Sequence, residues 1–192
     1  MQARLSAQDL ACRRGDRVLF RGLSVELSPG EVLHVKGANG IGKSSLLRIL
    51  AGLLTPFAGD VSSVGAIALL DERPALEPEL PLRKALQFWE SLGVNHSSNA
   101  LQTLALEPLM DVPVRYLSTG QRKRAAMASV LNRTAPIWLL DEPLSGLDTD
   151  TQAKMASLIQ EHASEGGICV LASHQPVEVD GLKCIDLAEF AP

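Results

Sequence analysis

Gly37-Ala38-Asn39-Gly40-Ile41-Gly42-Lys43-Ser44 stands between an apolar run, Glu31 to Lys36, and a stretch of helical pattern, Ser45 to Leu54. Three glycines let such a loop fold with its backbone N–H groups pointing inward at phosphate oxygens. Lys43 then supplies a point charge for the outer phosphates, and Ser44 a hydroxyl for a magnesium ion. The run before the loop predicts a buried strand. After it, Leu46, Leu47, Ile49, Leu50, Leu53 and Leu54 recur at helical spacing and predict a helix leaving the cradle. A helix N-terminus offers unpaired N–H donors and a partial positive charge, so an anion in the loop is favoured by both.

Outward from the loop, residues 3–10 and 17–27 carry β-type pattern, and Pro29-Gly30 marks a turn before the next strand. Val61 to Leu70 predicts a further pair of strands broken at Gly65. Between 74 and 133 the character changes, with prolines at 74, 78, 81, 108 and 113 separating amphipathic pieces such as Leu82 to Leu92 and Asn99 to Leu106. This predicts a small helical subdomain at about 74–133, inserted into a core of about 1–73 and 134–192. The core resumes at Ala135 to Leu140, an apolar run of strand length that suits a parallel strand covered on both faces. A helix from Thr149 to Ala163 follows, with Asp148 as N-cap, Met155, Leu158 and Ile159 inward and Gly166-Gly167 as stop. Ile168 to Ala172 is the next buried strand. Strand, helix, strand in that order implies a right-handed crossover. The expected fold is a single α/β domain over 1–192, with a mostly parallel core sheet, a small antiparallel β part and the helical insertion.

At 192 residues and 46% hydrophobic, the chain has material for one good core. A net charge of −4 gives no footprint for nucleic acid. Arg122-Lys123-Arg124 is the one tight basic run, read equally as a solvated helix face or as a contact for phosphate or a partner. Cys12, Cys169 and Cys184 are widely spaced in apolar sequence and fit buried, reduced thiols. His34, His96, His162 and His174 form no i, i+4 pair, so no metal site follows from them. The start, Met-Gln-Ala-Arg-Leu, shows no apolar leader, and no stretch approaches the roughly 18 apolar residues of a membrane span. A cytoplasmic protein that reaches a membrane only through a partner is expected.

Two adjacent carboxylates, Asp141 and Glu142, close the Ile137 strand, where α/β sheets place their ligands. Asp141 is placed to hold magnesium, partly through water, and Glu142 to reach the water that attacks a terminal phosphate. Pro143 and Ser145-Gly146-Leu147-Asp148 extend the pattern. Leu117-Ser118-Thr119-Gly120-Gln121 opens a further helix, whose N-terminus is a second anion-binding candidate.

In this order the segments resemble an ATP-binding cassette ATPase, one of the P-loop NTPases. Walker A falls at 37–44, the signature at 117–121, Walker B at 137–142, the D-loop at 145–148 and the switch histidine at His174. The resemblance implies ATP bound by Gly37, Ala38, Asn39, Gly40, Ile41, Gly42, Lys43, Ser44 and Ser45, with Mg2+ at Ser44 and Asp141. It implies catalysis by Glu142, His174 and Lys43. It also implies a head-to-tail homodimer, in which Leu117, Ser118, Thr119, Gly120 and Gln121 complete the partner's site and Asp148 crosses the interface. Two positions depart from the family: Arg14 stands where an aromatic residue stacks on adenine, and Arg73 where a glutamine ligates magnesium and senses the transport partner.

Leu19 to Val25, the Walker loop itself and Gly166-Gly-Ile-Cys-Val-Leu-Ala-Ser-His174-Gln175-Pro176 are similar to the ATPase subunit of the cytochrome c maturation haem exporter. That resemblance implies a peripheral protein on the cytoplasmic face of the bacterial inner membrane. Its partners there are an integral membrane permease subunit and other cytochrome c maturation membrane proteins. ATP hydrolysis is then coupled to haem export or to release of a haem-loaded chaperone. The ATPase of another small transporter, and a slow ATP-dependent clamp, are the alternative readings.

Overall fold

The computed structural model describes residues 2–71, 75–90, 98–133 and 135–192. Arg73, Leu92 and the subdomain edges expected at 74 and 134 lie outside those residues. In chain order the elements are β1 (Arg4–Arg14), β2 (Arg17–Leu27), β3 (Val32–Lys36), α1 (Lys43–Leu50), β4 (Ala58–Val64), β5 (Ile67–Leu70) and α2 (Leu82–Glu90). They continue with α3 (Ser98–Thr103), α4 (Thr119–Leu131), β6 (Ile137–Asp141), α5 (Thr149–Ser164), β7 (Ile168–Ala172) and β8 (Lys183–Asp186).

Every residue of β6 and β7 is buried, which is the condition of a parallel strand covered on both faces. The parallel sheet runs β5-β6-β7-β3-β8. Alternation then divides its side chains between two cores. Ile137, Leu139, Ile168 and Val170 face α1 and the smaller sheet, packing with Leu46, Leu47, Phe20 and Leu23. Trp138, Leu140 and Leu171 face the other way, toward Met155 and Ile159 of α5 and toward Leu82, Leu86 and Ala125 of α2 and α4. The inserted helices therefore share one apolar cluster with the sheet.

The smaller sheet is antiparallel, in the order β2-β1-β4. The stretch read as one pair of strands, Val61 to Leu70, belongs to two different sheets: β4 pairs with β1, while β5 pairs in parallel with β6. Gly65 is the corner between them. α1 begins at Lys43 and ends at Leu50, short of the predicted Leu54, because the chain leaves it in a Schellman arrangement. The Leu53 N–H bonds to the Arg48 carbonyl at 2.8 Å and the Gly52 N–H to the Ile49 carbonyl at 3.0 Å. Leu53 is consequently 69% exposed instead of lying on the buried stripe. Cys12 and Cys169 are buried as expected, but Cys184 is exposed. It sits on β8, the edge strand of the parallel sheet, where only one neighbour covers it.

β1 and β4 slip register between Gln8 and Ala11, where Asp9 takes a φ of 49°. Gly59 lies against this bulge, and a Cβ there would fall 2.3 Å from the Gln8 carbonyl oxygen, at a φ of +83°. Gly59→Ala is expected to destabilise the fold by about 2–4 kcal/mol, since backbone must yield on both strands. Urea denaturation measures it, and a midpoint equal to the parent's would refute this close approach.

Candidate functional site

β6, β7 and β3 are successive neighbours in the parallel sheet, so the three segments that leave their C-terminal ends meet in one crevice. These are Asp141-Glu142, Ser173-His174 and the loop from Gly37 to Gly42. Two backbone bonds carry the ladder past the strand ends: the Glu142 N–H to the Ala172 carbonyl at 2.8 Å, and the Ser173 N–H to the Val35 carbonyl at 3.3 Å. The cradle is braced from outside by β2. A Cβ on Gly42, whose φ is +120°, would come within 3.2 Å of Leu19 and Phe20. Gly42 is also the N-cap of α1 and contributes no side-chain cap, which leaves the first N–H groups of the helix for the cleft.

Lys43 is 6% exposed. Its ammonium donates to the Gly37 carbonyl at 2.7 Å and the Ala38 carbonyl at 3.3 Å, and lies 3.7 Å from a Glu142 carboxylate oxygen. The other oxygen of that carboxylate is 2.9 Å from Nδ1 of His174. Lys43, Glu142 and His174 thus converge on one point. Asp141, 2% exposed, sits behind them at the strand end.

The cleft measures about 910 Å3, and five cations line it, Arg14, Arg17, Lys43, Arg122 and Lys123, against two carboxylates, Asp141 and Glu142. That imbalance in a chain of net charge −4 suits a polyanion. Ser44 and Asp141 both line it, and oxygen donors of this kind suit magnesium, which is held by one or two protein groups with phosphate and water making up the rest. Among the described residues there is no group of three or more His, Cys, Asp or Glu side chains placed to hold a metal ion by themselves.

Residues 20–145 match the protein family described as ABC transporter. The chain belongs to that family, in its ATPase branch. It is 54% identical, over 98% of its length and 97% of the relative's, to the cytochrome c biogenesis ATP-binding export protein CcmA of Novosphingobium aromaticivorans. It is 47% identical to the protein of the same name from Zymomonas mobilis, over 98% of this chain and 86% of that one. Among solved structures, a Pyrococcus furiosus ABC transporter ATP-binding protein superposes with a TM-score of 0.82. The match covers 98% of this chain and all of that one at 24% identity, which speaks to the fold.

In this ABC ATPase the segment Leu117–Gln121 is a built helix start. Ser118 caps α4: its hydroxyl oxygen accepts the Gln121 N–H at 3.2 Å, and the Gln121 side chain accepts the Ser118 N–H at 2.8 Å. An accepting hydroxyl keeps its own proton to donate outward. Ser118 and Thr119 are exposed. Asp148 is the N-cap of α5, accepting the Thr151 N–H at 2.8 Å, and that bond holds its carboxyl below the usual carboxylate range. In the basic run Arg122 is exposed while Lys123 and Arg124 are half-buried, and all three guanidinium or ammonium groups hold main-chain carbonyls. Arg122 donates to the Leu117 carbonyl, Lys123 to that of Glu142 and Arg124 to that of Leu104.

Arg17 lines the cleft without having been singled out from the sequence, together with Arg122 and Lys123 of the basic run and Ser145 of the segment after the paired carboxylates. Arg17 was within reach, being the cross-strand partner of Arg14 around the Gly15-Asp16 turn. Lys123 lies four residues after Thr119 and so shares its helix face. Arg14 lines the cleft too.

His34, on β3, supports the switch segment from beneath. It is 1% exposed, and its Nε2 lies 3.1 Å from the carbonyl of Ser173, the residue before His174. A carbonyl accepts, so Nε2 carries the proton. Burial lowers the His34 pKa from its ordinary value of 6.5, with Lys36 adding to the effect and the Ser173 carbonyl and Glu142 opposing it. His162, stacked on Trp138 at 3.8 Å, is shifted the same way by burial. Below about pH 6.5 the unfolded chain takes up protons that the folded chain refuses, so stability is full above that pH and falls as pH drops toward the lowered native values. Melting temperature is expected to decline from pH 6.5 to 5, and less steeply in His34→Gln, which keeps a donor without titrating. Equal slopes in the two proteins would remove His34 from this account.

Proposed function

We propose that this chain is the ATP-hydrolysing subunit of a membrane export complex for c-type cytochrome biogenesis, coupling hydrolysis to haem export or to release of a haem-loaded chaperone. The observation that carries the reading is the run of near-full-length relatives, 35–54% identical, that bear the name cytochrome c biogenesis ATP-binding export protein. The convergence of Lys43, Glu142 and His174 in a cationic cleft supports the chemistry.

ATP enters with its triphosphate along the loop from Gly37 to Gly42, where backbone N–H groups and the start of α1 receive it together with Ser44 and Ser45. Its outer phosphates exchange for the two loop carbonyls that the Lys43 ammonium now holds. Ser44 and Asp141 would hold Mg2+, which supplies charge neutralisation on the phosphates when bound. Glu142 orients the attacking water and accepts its proton. His174, bonded to that carboxylate, fixes its direction and faces the terminal phosphate. The exposed Ser118–Gln121 turn completes the site of a second copy, with Asp148 at the same interface, so two equivalent sites form in a head-to-tail homodimer. Loss of the terminal phosphate removes the contacts that hold the copies together, and this opening drives the permease partner.

Among the described residues no helix is long and apolar enough to cross a membrane. In the proposed complex, attachment at the cytoplasmic face of the inner membrane runs through the permease subunit and other cytochrome c maturation proteins.

Lys43→Ala is expected to lower ATP turnover by about 100-fold or more, because no other cation in the loop can replace a buried ammonium. Glu142→Gln is expected to cut turnover by about 100- to 10,000-fold while retaining nucleotide, and to trap an ATP-bound dimer visible by size-exclusion chromatography. Deleting the gene is expected to remove c-type cytochromes and leave b-type haem proteins intact. Persistence of both would assign the chain to another small transporter.

A further inference from the structure

Glu142 occupies a backbone conformation that side chains avoid, with a φ of 47°. Pro143 follows it and narrows its choices further. Such a residue stays in place only where its surroundings hold it. Three contacts do so on the main chain. The Glu142 N–H donates to the Ala172 carbonyl of β7, and the Glu142 carbonyl accepts both from the Ser145 N–H at 3.2 Å and from the Lys123 ammonium. The first two contacts are internal to the crevice. The third reaches it from α4, the helix that Ser118 caps. The same helix touches the segment after Glu142 at a second point, since a Cβ on Gly120 would lie 3.0 Å from the Gly146 carbonyl oxygen.

We infer that Lys123 is a positioning residue for the catalytic glutamate, and that through it the Ser118–Gln121 turn sets the carboxylate of its own chain. The inference rests on the proposed role of Glu142 in hydrolysis. Lys123 is half-buried and its ammonium donates to that carbonyl, a charge-assisted bond that fixes the plane of the Glu142–Pro143 peptide. Rotating that peptide swings the carboxylate away from Nδ1 of His174, 2.9 Å from it, and from Lys43. A small displacement of this kind costs turnover far more than binding, because nucleotide affinity lies with the loop and α1. The signature turn, which would meet the nucleotide of a second copy, thereby bears mechanically on hydrolysis in its own site.

The test uses the full chain and two substitutions. In Lys123→Met, which keeps the aliphatic stem and loses the donor, kcat for ATP is expected to fall about 10- to 100-fold, with KM and the affinity for a fluorescent ATP analogue within about twofold of the parent. Lys123→Arg, which restores a donor, is expected to recover most of the rate. Hydrogen exchange over residues 142–147 of the nucleotide-free chain is expected to quicken in Lys123→Met and to return to the parent's rate in Lys123→Arg. An unchanged kcat with a lowered melting temperature overturns the inference in favour of a plain structural tether. A raised KM at unchanged kcat overturns it in favour of direct nucleotide contact. Unchanged exchange over 142–147 overturns it whatever the turnover does. Absence of hydrolysis in the parent protein would instead count against the proposed function, and the exchange measurement still decides the role of Lys123.

Discussion

The parallel ladder β6-β7-β3 is the constraint on which the rest of this protein depends. Its strands are five residues each, and all of β6 and β7 is out of water. Their hydrogen bonds cannot be exchanged for solvent, and a register slip would turn Trp138 and Leu139 onto each other's cores. With the register fixed, the last residues of three strands must emerge side by side. The chemistry is therefore placed by main-chain bonding before any side chain acts. Glu142 and Ser173 continue the ladder past its formal end through their bonds to Ala172 and Val35, so the carboxylate and His174 inherit the rigidity of the sheet.

Around that ladder, the two cores do different work. The core beneath α1 joins the cradle to the antiparallel sheet, and the contact of Gly42 with Leu19 and Phe20 seats the loop on β2. The core on the far face joins α4 and α5 to the same strands. One side thus positions the Gly37–Gly42 loop, and the other positions α4. Glu142 sits where the two meet, bonded to α4 through Lys123 and paired with Lys43 at the start of α1. Arg48 and Asp71 add a bidentate pair, at 3.1 and 2.9 Å, between α1 and the end of β5.

What the sequence revealed follows from how local each cause is. The cradle, the strands Ile137 to Asp141 and Ile168 to Ala172, and the Asp148 and Ser118 helix starts were legible. Glycine, proline, capping residues and unbroken apolar runs act within a few residues of themselves. The division of Val61 to Leu70 between two sheets was not, because both halves have strand pattern and only long-range pairing separates them. The early end of α1 was missed for a related reason: Leu53 and Leu54 continue the apolar spacing, while Gly52 turns the chain. Cys184 looks apolar in its neighbourhood, and only its place on an edge strand exposes it. The contact of Lys123 with Glu142 spans 19 residues, and no spacing rule connects a helix lysine to a main-chain carbonyl on another element.

The hairpin at the mouth of the cleft shows the same logic in its electrostatics. Arg14 and Arg17 face each other across the two-residue turn Gly15-Asp16, and both line the cleft. Like charges directly opposite on paired strands destabilise a sheet, and the third arginine beside them, Arg13, lies instead over the ring of Phe57 at 4.5 Å. Arg14 and Arg17 are both exposed, so solvent screens much of that repulsion and the two side chains stay available to an anion entering the cleft. A planar guanidinium can also lie against a nucleobase, but it gives less apolar contact than the aromatic residue that family members place there. On the proposed reading, affinity then depends more on the phosphate end, where Lys43 is buried, than on the base. On that reading, the site grips the part of the nucleotide that hydrolysis changes.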